Sequence, residues 1–432
     1  MNKKTKDTLI LGTALFAMFF GAGNLIFPPS LGLLSGKNWI VCGIGFFLTA
    51  AGMPLLGIIA VSKAGGTISH ISNKINPIFG KIFAIIIILS IGPLLAIPRT
   101  GATTYEMGIK PIFPEINPLI SSIIFFGITL YFVIKPSEIV DKIAKILTPL
   151  LLIMIFLIII KGIISPLGSA VTKMDVNPFS KGFTEGYQTM DALASLLFGG
   201  VVLNSIISKG YESEKDHINM TIKAGIIASL GLGLVYGGLI YLGASTNSIF
   251  PPNKEKADLL ITITNSLLGD FGKIALGIVV SLACLTTSIG LTATVGNYFS
   301  DLSNNRVSYK IIVIITVIIS TIFANIGLEK IVLLSVPLLV MVYPIAIVLI
   351  LMNIFNKYIP KNAYTGAVIG AFIISLYDGA SAAKINTSFF STIINVLPLS
   401  KYGFAWITPA IIGGFISTFL LKHSNLSNEP HI

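Results

Sequence analysis

The chain has 432 residues, 54% of them hydrophobic and 11% charged, with a formal net charge of +11 and a mean hydropathy of +0.89. A soluble globular domain carries about 25% charged residues, so this composition excludes a water-exposed fold and indicates an integral membrane protein. The basic excess does not point to nucleic acid, because Lys and Arg are dispersed over short connections between apolar blocks. Cys42 and Cys284 fall inside apolar blocks and read as small core side chains. His70, His217, His423 and His431 show no metal-ligand spacing.

About 20 apolar residues cross a bilayer as a helix. Reading apolar blocks between charged or Pro/Gly/Asn punctuation predicts twelve spans, at 8–35, 39–62, 78–107, 118–134, 138–162, 184–208, 215–243, 269–299, 309–327, 330–355, 362–378 and 402–422. Segment 379–401 has room for a short surface helix. The expected fold class is an all-α integral membrane protein of about 12 transmembrane helices, forming a single membrane domain over 1–432. The basic start followed by an apolar run and Gly21-Ala22-Gly23 resembles a secretory signal. The apolar run resumes at once with Leu25-Ile26-Phe27, which favours a retained first helix. Placing the N-terminus in the cytoplasm puts 17 Lys and Arg residues on that side and 11 on the other, so both termini are expected to be cytoplasmic.

In a bilayer every backbone N–H and C=O needs a partner, so a glycine cluster in mid-span requires a reason. The first span carries Phe20-Gly21-Ala22-Gly23-Asn24-Leu25, followed by Pro28-Pro29. Glycine relaxes the backbone, Asn24 can bond freed groups, and proline suits the first turn of a resuming helix. The sixth span carries Phe198-Gly199-Gly200 before Val201-Val202, and reads as a second interruption. Asp7 and Glu185 each lie 14 residues before the first glycine of the respective run. The broken spans 1 and 6 each open a set of five in opposite orientation, which suggests a 5+5 inverted repeat of 8–162 and 184–355 with accessory helices over 362–422. Glycine-interrupted spans at corresponding places point to a transporter binding site, although membrane helices also use glycine simply to pack. The half-helix resuming at Asn24 would present N–H groups to a carboxylate, and one ending near Phe198 would present carbonyls to an ammonium group. A zwitterion is therefore the expected ligand, with Phe20, Leu25, Phe198, Val201 and Val202 favouring an apolar side chain.

The eighth span contains Thr286-Thr287-Ser288. Such hydroxyls often bond the carbonyl one turn back; together with freed carbonyls between Ala17 and Phe20 they also suit a sodium ion. No carboxylate stands beside the glycine runs, which favours sodium over protons. Arg99 and Asp191 are the deepest charges, and intramembrane charges usually pair or line a water-filled cavity; a gating Arg99–Asp191 pair near the outer vestibule is expected.

The run Ala14–Pro29, with Phe19-Phe20-Gly21-Ala22-Gly23-Asn24 at its centre, resembles the signature of the BrnQ-type branched-chain amino-acid:cation symporters. Thr189–Ser195 with Phe198-Gly199, and Ala283–Gly290, look like that family's sixth and eighth spans. The resemblance covers essentially the full chain. It implies uptake of leucine, isoleucine and valine at a bacterial cell membrane, driven by sodium or in some members by protons, on the LeuT-like fold. It also implies no cofactor beyond the coupling ion, and leaves the oligomeric state open. The doubled glycine Gly199-Gly200 departs from the expected single glycine. A channel would show repeated pore loops, an enzyme a motif such as HExxH or paired intramembrane acids, and a primary pump a Walker loop; the sequence has none of these.

Overall fold

The computed structural model describes residues 2–134, 138–171 and 174–426. Lys135, Lys173 and His431, counted above, lie outside those residues. Every regular element among the described residues is helical. The first span is two helices, α1 (Lys3–Phe19) and α2 (Ala22–Ser35), joined by extended backbone at Phe20 and Gly21. The second is α3 (Trp39–Phe47), a wide five-residue turn and α4 (Met53–Ala64), closed by left-handed Gly65. After the short α5 (Ile68–Ser72), the third consists of α6 (Pro77–Leu89) and α7 (Ala96–Thr104), interrupted at Gly92-Pro93. Next come α8 (Pro118–Ile134) and α9 (Glu138–Ile164), and then the bent sixth span: α10 (Pro178–Glu185), a tight turn over Gly186–Thr189, and α11 (Asp191–Ile207).

The seventh span is α12 (Glu214–Ser245). In α13 (Lys256–Leu302) a positive φ of 67° at Gly269 breaks the helix at the predicted start of the eighth span. The ninth and tenth spans, α14 (Tyr309–Ala324) and α15 (Leu328–Ile354), are separated at Gly327, as the punctuation there suggested. The chain ends in α16 (Ala363–Ala382), the short α17 (Ser388–Val396) and α18 (Ile407–Leu426). Among the described residues, six helices and the bent pair of the sixth span are long and apolar enough to cross a membrane, and four shorter apolar helices accompany them. Leu150, Ile153, Leu157, Ile160 and Ile164 of α9 are exposed at helical spacing, an apolar face that only lipid suits.

Glycine brings these helices together, as expected where no hydrophobic force separates helix from lipid. Gly243 of α12 lies against the Pro29 backbone of α2, and Gly182 of α10 against the Cys42 backbone of α3. Gly366 and Gly413 meet between α16 and α18. Around the first and sixth spans, α1 and α2 pack on α12 while α4 packs on α11. This places both broken spans side by side at the centre of the molecule.

Candidate functional site: two helix breaks around a cavity

The break of the first span follows from where its hydrogen bonds go. Phe20 N–H closes α1 on the Phe16 carbonyl at 2.9 Å. In a continuous helix the next donor, Gly21 N–H, would bond the Ala17 carbonyl. Here it donates instead to Asn24 Oδ1 at 3.0 Å, so Asn24 caps α2 and the Ala17 carbonyl loses its helical donor. Pro28 and Pro29 stand in the second turn of α2 rather than the first, because the helix resumes already at Ala22. With no N–H of their own, they leave the carbonyls of Asn24 and Leu25 without the usual partner.

The break of the sixth span is not at Phe198-Gly199-Gly200. It lies at Thr189-Met190, where Met190 adopts a left-handed conformation (φ 63°, ψ 7°) and the helix axis turns by 49°. A non-glycine residue held there costs about 1–2 kcal/mol, a strain that surrounding packing must impose. Gly199 and Gly200 sit inside the continuous helix α11. A Cβ on Gly199 would come 2.5 Å from Cβ of Val61 in α4, and one on Gly200 would meet the Gly66 carbonyl. They are small because α4 packs there, which removes the carbonyl end proposed near Phe198 and the matched 14-residue spacing with it.

Moving the break makes Asp191 the first residue of α11, so a carboxylate does stand beside the breaks. Asn24 Nδ2 donates to Asp191 Oδ2 at 2.6 Å and also reaches the Tyr236 hydroxyl of α12; Tyr236 Oη in turn donates to Asp191 at 3.4 Å. Arg99 Nη1 donates to the Gln188 carbonyl at 2.7 Å, and its guanidinium lies 5.4 Å from the Phe27 ring centre. No ion pair joins Arg99 to Asp191 among the described residues, since each is held by other partners. Ser335 of α15 donates to Gln188 Oε1 at 2.7 Å, and Tyr187 stacks on Tyr343 at 4.3 Å. Gln188 therefore links the third span to the tenth.

These elements line a cavity of about 330 Å³, within the range of small-molecule sites. Of the residues singled out in the sequence, Ala17, Gly21, Ala22, Gly23, Asn24, Arg99, Asp191, Phe198, Val201, Thr286 and Thr287 line it. Phe20, Leu25, Gly199, Gly200, Val202 and Ser288 do not. Phe20 stacks on Phe16 at 5.1 Å, Leu25 and Val202 are buried in the core, and Ser288 accepts from Thr129 at 3.3 Å. Thr286 returns its hydroxyl to the Ala283 carbonyl, whereas Thr287 turns towards Gly21 across the cavity. Sequence reasoning missed Met18, Phe19, Ile91, Ala96, Thr100, Thr189, Met190, Ala194, Gly290, Leu291 and Thr294. Only the interruption at Gly92-Pro93 and the polar run Gln188-Thr189 before Asp191 offered a signal for any of these.

Two discontinuous membrane helices whose breaks meet at a cavity are the arrangement of a transporter binding site. Solved structures share this fold: MhsT in complex with L-phenylalanine (TM-score 0.57, 14% identity, covering 95% of this chain and 98% of that one) and Mhp1 in a closed conformation with bromovinylhydantoin bound (TM-score 0.62, 13% identity, 96% and 93%). Both are transporters of the LeuT fold.

Residues 4–424 match the family profile described as branched-chain amino acid transport protein, and the chain belongs to that family. The branched-chain amino acid permease BraB of Bacillus subtilis is 44% identical, with 98% of both chains covered. The permease BrnQ of the same organism is 38% identical over 97% of this chain and 98% of that one. The protein is a multi-pass membrane transporter and not an enzyme.

Proposed function

We propose that the protein imports leucine, isoleucine and valine by alternating access, coupled to sodium, across the bacterial plasma membrane with both termini cytoplasmic. The observation that carries the sodium reading is that two oxygen-bearing residues line the cavity at the first break: Ala17, whose carbonyl is freed when Gly21 bonds Asn24, and Thr287, whose side chain lies beside Gly21. A hard cation takes such ligands, and half-helix C-termini supply them in transporters. Thr286 lines the same cavity but returns its hydroxyl to the Ala283 carbonyl, and Phe20 and Ser288, also expected from the sequence, lie outside the lining, so Thr287 is the hydroxyl of the eighth span that this reading uses. Sodium bound there would draw α1 towards α13 and so link ion binding to closure of the cavity.

The substrate reading draws on the family and on the cavity wall, where Phe19, Ile91, Phe198, Val201 and Leu291 suit a branched apolar side chain. Twelve spans arranged as a 5+5 inverted repeat fit the packing: the first span lies on the seventh as the sixth lies on the second, the exchange such a repeat requires. Proton coupling is the second reading, favoured by Asp191, a buried carboxylate on the cavity wall.

The test is leucine uptake into proteoliposomes under an imposed sodium gradient, compared with a proton gradient in sodium-free buffer. Sodium-dependent uptake supports the first reading. Equal uptake driven by protons alone transfers the coupling to the second.

A further inference from the structure

Arg99 and Asp191 are the only charged side chains among the described residues lining the cavity, and each is 4% exposed. Opposite charges in a low-dielectric enclosure attract strongly, yet these two form no ion pair. The structure holds them apart: Arg99 on the Gln188 carbonyl and over Phe27, Asp191 on Asn24 and Tyr236. Two buried charges of opposite sign, separately anchored on one cavity wall, complement a ligand that carries both signs itself. A ligand with a single charge would leave one of them uncompensated in the interior, which is costly.

The surroundings of each charge assign the ends of that ligand. A Cβ on Gly23 would come 2.8 Å from Arg99 Nη2, so the guanidinium lies against the first turn of α2. The N–H groups of Ala22 and Gly23 in that turn have no intrahelical acceptor. Backbone donors, the positive end of a helix and a guanidinium thus converge on one place, and a guanidinium matches a carboxylate with paired hydrogen bonds. Asp191 begins α11 on the opposite broken span. Its Oδ2 already receives two hydrogen bonds, and among the described residues no cationic side chain lies within ion-pair distance of it.

We infer that Arg99, with the first turn of α2, binds the α-carboxylate of the substrate, and that Asp191 binds its α-ammonium group. The two residues make the site selective for zwitterions, while the apolar wall selects among side chains. This assignment rests on reading the cavity as an amino-acid site.

The experiment is equilibrium binding to the purified full-length protein, by calorimetry, with three probes: L-leucine, isoamylamine (leucine without its carboxylate) and isocaproate (leucine without its ammonium group). Hydrogen bonds to charged groups contribute enough that losing one set weakens binding by at least about tenfold. Arg99→Gln is therefore expected to weaken leucine by that factor or more, while leaving isoamylamine within about threefold. Asp191→Asn is expected to weaken leucine likewise and to spare isocaproate. Parallel loss of all three probes in either variant, or unchanged leucine affinity, overturns the assignment. Arg99→Lys and Asp191→Glu give a second measurement if a neutral variant fails to fold or a single-charge probe binds too weakly to titrate. Both keep the charge, although lysine cannot form the paired hydrogen bonds of a guanidinium, so leucine should bind more weakly but measurably, and complete loss in either overturns the assignment. Failure of the unmutated protein to bind any branched-chain amino acid is a different result, which overturns the amino-acid reading itself and this assignment with it.

Discussion

The side-chain amide of Asn24 donates to the carboxylate of Asp191 across 2.6 Å, joining the break of the first span to the break of the sixth. The same side chain accepts from Gly21 N–H and so holds the end of α2 in place. Asn24→Ala removes both bonds and leaves a buried carboxylate short of a donor. A loss of about 1.5–3 kcal/mol is expected for a hydrogen bond to a charged group, read as a lower melting temperature in detergent, with leucine uptake reduced at least about tenfold. Asn24→Asp, which sets a second carboxylate beside Asp191, should be worse than alanine in both assays. An uptake rate equal to wild type in Asn24→Ala would show that the two breaks do not depend on this link.

Gly23 tests how closely Arg99 approaches the first turn of α2. A methyl group there would lie 2.8 Å from Nη2 and 3.3 Å from Cζ, so Gly23→Ala must displace the guanidinium. Leucine affinity should fall by about tenfold or more, the cost of disturbing a charge-assisted contact. Gly237 in α12 meets nothing within 4 Å. Gly237→Ala should therefore bind leucine as wild type does, and gain up to about 1 kcal/mol in helix stability.

The packing role of Gly199 separates from a hinge role by rescue. Gly199→Ala sets a Cβ 2.5 Å from Cβ of Val61, an overpacking that costs about 1–3 kcal/mol. Trimming the partner with Val61→Ala should restore part of the lost melting temperature and uptake in the double variant. A hinge that needed glycine for its backbone would give no such rescue.

The two threonines of the eighth span should respond differently to sodium. Thr286 bonds the Ala283 carbonyl of its own helix at 2.9 Å, whereas Thr287 faces Gly21. Thr287→Ala is expected to raise the sodium concentration for half-maximal leucine uptake by about tenfold, as removal of one oxygen ligand would. Thr286→Ala should leave it within about twofold. Equal sodium dependence in Thr287→Ala and wild type would move the ion elsewhere.

Sequence alone was enough for the membrane class, the positions of the helices and the break of the first span. Each depends on residues close together in the chain. A run of apolar residues must be helical in lipid, and Asn24 reaches Gly21 only three positions away. The short surface helix α17, with Phe389 and Val396 exposed, was legible for the same local reason, whereas the helix from Lys256 to Gly269 falls where the sequence suggested a loop.

The sixth span was different. Glycine serves equally as a hinge or as a packing surface, and the choice is made by what lies opposite. For Gly199 that is Val61, and for Gly200 it is Gly66, both more than a hundred residues earlier in the chain. With those glycines taken by α4 and the turn that follows it, the break lies at Thr189-Met190, and Asp191 lines the cavity as the first residue of α11. Its partners Asn24 and Tyr236, and the hold of Gln188 on Arg99, also come from distant spans. Local chemistry determined where the first helix breaks. Only the packing of helices against one another decided where the second breaks, and which charges face the same space.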